Sequence, residues 1–115
     1  MSLKDTLEKE IERKLVKLVK DRRGRCLKWV CPGWRGVPDR IILLPGGRIV
    51  FVETKRPVGG KREKLQEKWA AILKNLGFHH FWISTFEELH SFSCFLTAWD
   101  AEMDSETAKF WRDKD

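Results

Sequence analysis

The run Arg-Ile-Val-Phe-Val at residues 48–52 ends in the charged tripeptide Glu53-Thr54-Lys55. Its β-branched and aromatic content predicts a buried strand. Because alternate side chains share one face of a strand, Glu53 and Lys55 point the same way. A carboxylate at the end of a buried strand is costly when it has no partner. This strand end is therefore the first candidate for a functional site.

A second acidic residue stands fourteen residues earlier, in the segment Gly36-Val37-Pro38-Asp39. Pro38 keeps the residue before it extended, which fixes how the Asp39 carboxylate is presented. Two carboxylates and an ammonium group at one place are what a metal-assisted phosphodiesterase needs. The alternatives are a turn aspartate at Asp39 and a structural ion pair between Glu53 and either Lys55 or Arg40.

These segments resemble a known nuclease signature. Pro38-Asp39 followed by Glu53-Thr54-Lys55 is similar to the PD-(D/E)XK motif. The fuller pattern resembles the VRR-NUC branch of that superfamily, and it comprises Gly36 to Arg40, Pro45-Gly46-Gly47, Phe51 to Pro57 and Gln66. The likeness extends from the first helix to about residue 90. It implies a restriction-endonuclease-like core, which is a mixed β-sheet flanked by helices.

The local patterns predict an element order that agrees with this resemblance. They indicate a helix over 3–21, strands over 26–31, 40–44 and 48–54, a helix over 62–76, a strand over 80–84 and a helix over 86–98. The order is α-β-β-β-α-β-α, in the α/β class. We expect a nuclease domain over residues 1–98. The acidic tail, residues 99–115, is left open as a short helix, a disordered segment or an interface.

Charge is distributed unevenly along the 115 residues. The net charge is +6, and residues 98–115 hold six acidic and three basic residues, or −3, so residues 1–97 carry +9. A basic body suits a polyanionic partner. A merely solvated basic surface is the alternative. Together with the acidic strand end, the charge favours nucleic acid as the partner.

The sequence also bears on where the protein works. No apolar run approaches the roughly 20 residues of a membrane span, and the N-terminus has no hydrophobic signal core. Three cysteines, an odd number without paired spacing, fit a reducing compartment. A short VRR-NUC-like chain resembles phage or bacterial enzymes. We therefore expect a cytoplasmic protein of a bacterial or phage-infected cell, with no membrane partner.

The resemblance assigns roles to the residues of the motif. Asp39 and Glu53 are expected to bind Mg²⁺ or Mn²⁺, and the carbonyl of Thr54 is a further oxygen ligand. Lys55 is expected to orient the attacking water or to stabilise charge on the phosphate. These two roles of the lysine remain open.

Many members of the superfamily carry another acidic residue on the first helix. Glu12 lies three, four and seven residues before Leu15, Val16 and Val19, at the edge of the inward face. Glu8 is one turn earlier, and Glu10 points more nearly outward. We choose Glu12 as the catalytic candidate. A solvated glutamate that pairs with Lys9 or Lys17 is the alternative.

Further contacts are expected around this centre. Gln66 shares a helix face with apolar residues, and a buried amide needs partners, which the catalytic groups could provide. An ordinary interior hydrogen bond is the alternative. Basic residues in loops near the site are expected to contact DNA phosphates. They are Arg25, Arg35, Arg40, Arg56, Lys61 and Arg62. Trp34 is either a base-stacking residue or a packing residue.

The predicted function is therefore a divalent-metal-dependent DNA endonuclease. The resemblance implies structure-selective cutting, in its sharpest form the cutting of a four-way (Holliday) junction by a homodimer. One alternative is a less selective nuclease of flaps or single strands that needs a partner. The other is a nucleic-acid-binding domain without catalysis. The complete set of Asp39, Glu53 and Lys55 argues against the last.

Overall fold

The structure, a computed structural model, describes residues 3–55 and 64–114, with the side chains of all of these except residues 4–5 and 107–114. The elements in these residues are α1 (Leu3–Asp21), β1 (Arg25–Lys28), β2 (Arg40–Leu44), β3 (Arg48–Glu53), α2 (Lys64–Asn75), β4 (His79–Trp82) and α3 (Phe86–Lys114). Their order confirms the predicted α-β-β-β-α-β-α arrangement and the mixed sheet. None of the described helices combines the length and hydropathy of a membrane-spanning segment.

The sheet brings the two predicted acidic positions together. Its strand order is β1-β2-β3-β4, with antiparallel β1–β2 and β2–β3 pairs and a parallel β3–β4 pair. Arg40 lies opposite Val52, so the start of β2 is beside the end of β3. Asp39 comes directly before β2 and Glu53 closes β3. Register alone therefore places both carboxylates at one end of the sheet.

One face of the sheet packs against α1 and α3, and this contact forms the main core. Alternation along β2 and β3 turns Ile42, Val50 and Val52 toward the helices, and all three are fully buried. The helical partners follow the 3.6-residue period. They are Ile11, Leu15 and Val19 from α1 and Leu89, Phe92 and Leu96 from α3. This core holds α1 against the strands that carry the acidic residues.

Two elements differ most from their predicted bounds, while the ends of β3 and α2 and both bounds of β4 differ by one or two residues. The first strand was expected over 26–31 but spans Arg25–Lys28, because pairing ends near Pro38, which has no N–H to donate. The last helix was expected to stop near Ala98 but continues to Lys114. No glycine or proline interrupts residues 99–114. The boundary drawn at residue 98 therefore falls inside α3.

Candidate active site

Asp39 and Glu53 face each other where β2 begins and β3 ends. Glu53 is only 4 % exposed and Asp39 is half-buried. The pKa of Glu53 is raised to about 8, mainly by burial, then by the charge of Asp39 and a hydrogen bond shared with it, while Lys55 opposes the shift. Two carboxylates this close cannot both ionise easily without a cation. The pair is therefore suited to holding either a proton or a metal ion.

Thr54 fixes the Asp39 carboxylate through two contacts. Its backbone N–H donates to Asp39 Oδ1 at 3.0 Å, and its hydroxyl lies 2.8 Å from Asp39 Oδ2. The same hydroxyl is 3.1 Å from Glu12 Oε1. A hydroxyl has one proton, so it donates to one carboxylate at a time. The sequence pointed only to the carbonyl of Thr54, and no local pattern there indicated a role for its hydroxyl.

Glu12 is the glutamate of α1 that the structure brings to this centre. Its Oε2 accepts a hydrogen bond from Arg40 Nη2 at 3.3 Å, while its Oε1 faces Thr54. Glu10 is instead bound to Arg13 at 2.6 Å on the surface, and that contact lowers the pKa of Glu10. Glu8 is half-buried. Geometry thus favours Glu12, and its catalytic role stays a prediction.

Arg40 begins β2, as the predicted strand over 40–44 requires, but its side chain is buried. It was expected to contact DNA phosphates, and in the structure it is 9 % exposed and pairs with Glu12. The inward face of β2 turns the side chain toward α1. Arg40 therefore neutralises and orients Glu12.

Lys55 lies at the rim of a cleft of about 170 Å³. The cleft is lined by Glu12, Lys28, Trp29, Val30, Asp39, Arg40 and Lys55. Lys55 and Lys28 are both exposed, so either ammonium group can reach a phosphate. Lys28 was not predicted as a site residue. Lys28 reaches the site because the strand register places it opposite Arg40, and this register is known only from the fold.

The remaining predicted contacts separate into three groups. Arg25 pairs opposite Leu43, at the other end of β1 from Asp39, so its expected position near the site is wrong. Arg35 is exposed on the loop that leads to Asp39, and Gln66 is half-buried in the first turn of α2. Their contacts with the substrate or catalytic groups stay predictions. Arg56, Lys61 and Arg62 lie outside the described residues.

The donor set fits a hard divalent cation. Asp39 and Glu53 offer carboxylate oxygens, and burial, followed by the charge of Asp39, raises the Glu53 pKa, so a bound cation would favour ionisation of both groups. Within residues 3–55 and 64–114, no three His, Cys, Asp or Glu side chains are arranged around a common metal position. Full coordination thus needs oxygens of another kind, such as the Thr54 carbonyl, water or substrate. Burial raises the pKa of the Cys26 thiol to about 11, so it is protonated at neutral pH.

Comparison with known proteins gives two likenesses. The chain is similar to "Putative nuclease p44" of Acyrthosiphon pisum secondary endosymbiont phage 1, with 47 % identity over 70 residues, which cover 61 % of this chain and 74 % of that protein. It is also similar to the solved structure of a VRR_NUC domain, with a TM-score of 0.67 and 24 % identity, over 74 % of this chain and 91 % of that one. No family model matches. The likeness to the solved structure shows a shared fold, and the likeness in sequence to the phage protein shows membership of the same family.

Proposed function

Because this chain belongs to the VRR-NUC family of nucleases, we propose that it is a divalent-metal-dependent endonuclease that hydrolyses phosphodiester bonds in DNA. The environment of Glu53 is the observation that best supports the proposal. The buried carboxylate of Glu53 lies against Asp39, has a raised pKa and adjoins the ammonium group of Lys55. A binding domain without chemistry has no physical need to concentrate these charges.

The residues of the site divide the work between them. Mg²⁺ or Mn²⁺ held by Asp39, Glu53 and the Thr54 carbonyl would supply Lewis-acid stabilisation of the charge that develops on the phosphate. Lys55 orients the attacking water or neutralises a phosphate oxygen, and Lys28 binds a neighbouring phosphate. Thr54 holds the Asp39 carboxylate in place through its N–H and hydroxyl. Glu12, held by Arg40, keeps the Thr54 hydroxyl between two carboxylates.

We extend the proposal to structure-selective cutting by a homodimer, with a four-way junction as the expected substrate. The charge of +9 on residues 1–97 supports a polyanionic partner. Leu27 and Leu43 are 45 % and 39 % exposed on the same outward face of β1 and β2. A second copy that covers this apolar patch would place two sites in one symmetric assembly. Flaps and single strands are the alternative substrates.

A cleavage assay on four labelled DNAs tests the proposal. Four-way junction, flap, single-stranded and duplex DNA are each incubated with Mg²⁺, Mn²⁺ or EDTA. We expect metal-dependent, symmetric cuts in the junction. The Asp39→Ala variant should lower the rate by at least about 10³-fold while DNA binding is retained. Asp21→Ala, which removes an exposed aspartate paired with Lys17, is the matched control and should cut normally.

Each other outcome has a defined meaning. Cuts in flaps or single strands alone would retain the chemistry and reject the junction. Tight binding of DNA by the wild-type protein without cleavage under any condition would contradict catalysis and favour a binding domain. Sedimentation of the protein as a monomer at assay concentration would contradict the homodimer.

A further inference from the structure

The loop between β1 and β2 presents apolar side chains beside the catalytic cleft. Val30 is 79 % exposed and Trp34 is 63 % exposed. Trp29 and Val30 line the same cleft as Asp39 and Lys55. We propose that Trp29, Val30 and Trp34, together named the apolar rim, bind an unpaired nucleobase next to the phosphate that is cut. The proposal rests on the proposed nuclease function and specifies the form of its substrate.

The start of the apolar rim is fixed to the catalytic residues. The backbone N–H of Trp29 donates to the backbone carbonyl of Asp39 at 2.9 Å. The Trp29 ring packs on Phe51 with 5.1 Å between centroids, and Phe51 lies two residues before Glu53 on β3. A ligand on this part of the rim is therefore held at a constant distance from the carboxylates.

The far end of the rim is fixed to α2. The backbone N–H of Trp34 donates to the Cys31 carbonyl at 3.1 Å, and the Trp34 ring contacts the Trp69 ring edge-on, with 5.9 Å between centroids. Gly36 has φ 83°, and a Cβ there would lie 2.6 Å from Leu65 Cβ, so the backbone of the loop touches the helix. The indole of Trp34 nevertheless remains mostly exposed. A preformed, exposed aromatic face loses little conformational freedom when a ligand stacks on it.

The surrounding charge identifies the occupant as nucleic acid. Lys28 and Lys55 border the cleft, and Arg35 is exposed directly after Trp34. Cations beside an aromatic surface bind the backbone of a strand while its bases stack on the rings. Bases inside a duplex already stack on both faces and offer no free face to an indole. The rim therefore favours DNA with an unpaired base beside the cut, as in a flap, in a single strand or at a four-way junction whose pairs are opened at the branch point.

Fluorescent DNA tests the proposal without cleavage. 2-Aminopurine is placed at the unpaired position of a branched DNA, and binding is followed in EDTA. We expect the wild-type protein to quench the fluorescence and Trp34→Ala to abolish the quenching. Trp34→Ala should weaken binding of this DNA about 5- to 150-fold and change plain duplex binding less than about twofold. Trp34→Phe should restore part of the loss, because the ring is kept.

Leu76→Ala is the matched control, since Leu76 is 68 % exposed and follows the other end of α2. It should behave as wild type. Equal weakening of branched and duplex DNA by Trp34→Ala would overturn the proposal, and so would dissociation of a dimer by this variant, which would assign the rim to a second copy of the chain. Quenching without cleavage in Mg²⁺ or Mn²⁺ would support base binding by the apolar rim and contradict the proposed nuclease function. Cleavage without quenching would support the nuclease function and contradict base binding by the rim.

Discussion

The two ends of the β2–β3 pair each bury an arginine, but only one end has its charges balanced. At the hairpin end, Arg48 Nη1 lies 2.8 Å from Asp100 Oδ1, and this contact is an ion pair whose angles do not meet those of a hydrogen bond. The Nε of Arg48 donates to the Pro45 carbonyl. Its guanidinium also lies 4.9 Å from the centroid of the Trp99 ring. At the opposite end, Arg40 pairs with Glu12, while Asp39 and Glu53 face each other.

This difference separates a structural cluster from the proposed catalytic one. Near the hairpin, Arg48 and Arg22 both approach Asp100, so the charge of this carboxylate is compensated. At the site, the buried cation Arg40 is taken by Glu12. A negative centre that the fold does not compensate, next to a cleft, is typical of a functional site. The hairpin end holds α3 to the sheet, and the site end is where we propose that a cation from solution binds.

The largest expected effect is a pH dependence of stability that arises at the site end. The pKa of Glu53 is about 8 in the folded protein and near 4.5 when unfolded, so folding takes up a proton between these values. Its contribution is full below pH 4.5 and is lost as pH rises through about 8, in total on the order of 5 kcal/mol. Denaturant titrations in EDTA, repeated between pH 4.5 and about 8, should show that the unfolding free energy of the wild-type protein falls with pH relative to that of Glu53→Gln. If the unfolding free energies of the two proteins change with pH in parallel, the raised pKa of Glu53 is contradicted.

The next effect concerns the hairpin end, where Arg48→Met removes the ion pair and the contact with Trp99. We expect a loss of about 2 kcal/mol in unfolding free energy, because Asp100 is left with one weaker partner. Arg13→Met, which breaks the exposed pair with Glu10, should cost less than about 0.5 kcal/mol. The kcat of Arg48→Met should match wild type below its unfolding temperature. A lower kcat with unchanged stability would erase the distinction between the two ends.

A smaller effect is expected from Thr54→Val, which removes the hydroxyl and keeps the shape of the side chain. Asp39 would lose the hydrogen bond from the side chain at position 54 and keep the one from its backbone N–H. We expect affinity for Mn²⁺ and kcat to fall about 10- to 100-fold, with little change in KM. Thr54→Ser should recover most of both. If Thr54→Val loses stability alone and binds Mn²⁺ as wild type does, the hydroxyl has only a structural role.

Local signals predicted much of the fold. The apolar stripe of α1 and the Pro45-Gly46-Gly47 turn gave the bounds of α1 and β2 as the structure has them. The end of α3 was missed because the apolar pattern gives way to acidic residues after Ala98, although neither glycine nor proline stops the helix there. The edge strand β1 was misplaced because its bounds depend on pairing with β2, which local periodicity does not encode.

The candidate site was predictable to the extent that it depends on periodicity. The helical face selected Glu12, and the strand end selected Glu53. Arg40 was assigned to DNA because its burial against α1 depends on tertiary packing. The hydroxyl of Thr54 and the side chain of Lys28 join the site only through strand register. Sequence patterns thus identified residues within each element, and contacts between elements required the structure.

Calorimetric titration of Mn²⁺ into the metal-free protein shows whether Asp39 and Glu53 bind a divalent cation. We expect one set of sites in the wild-type protein, accompanied near neutral pH by release of protons from Glu53. Binding should be lost in Asp39→Asn and kept in Asp100→Asn, which alters only the hairpin end. Equal Mn²⁺ binding by Asp39→Asn and wild type would contradict the assignment of the site.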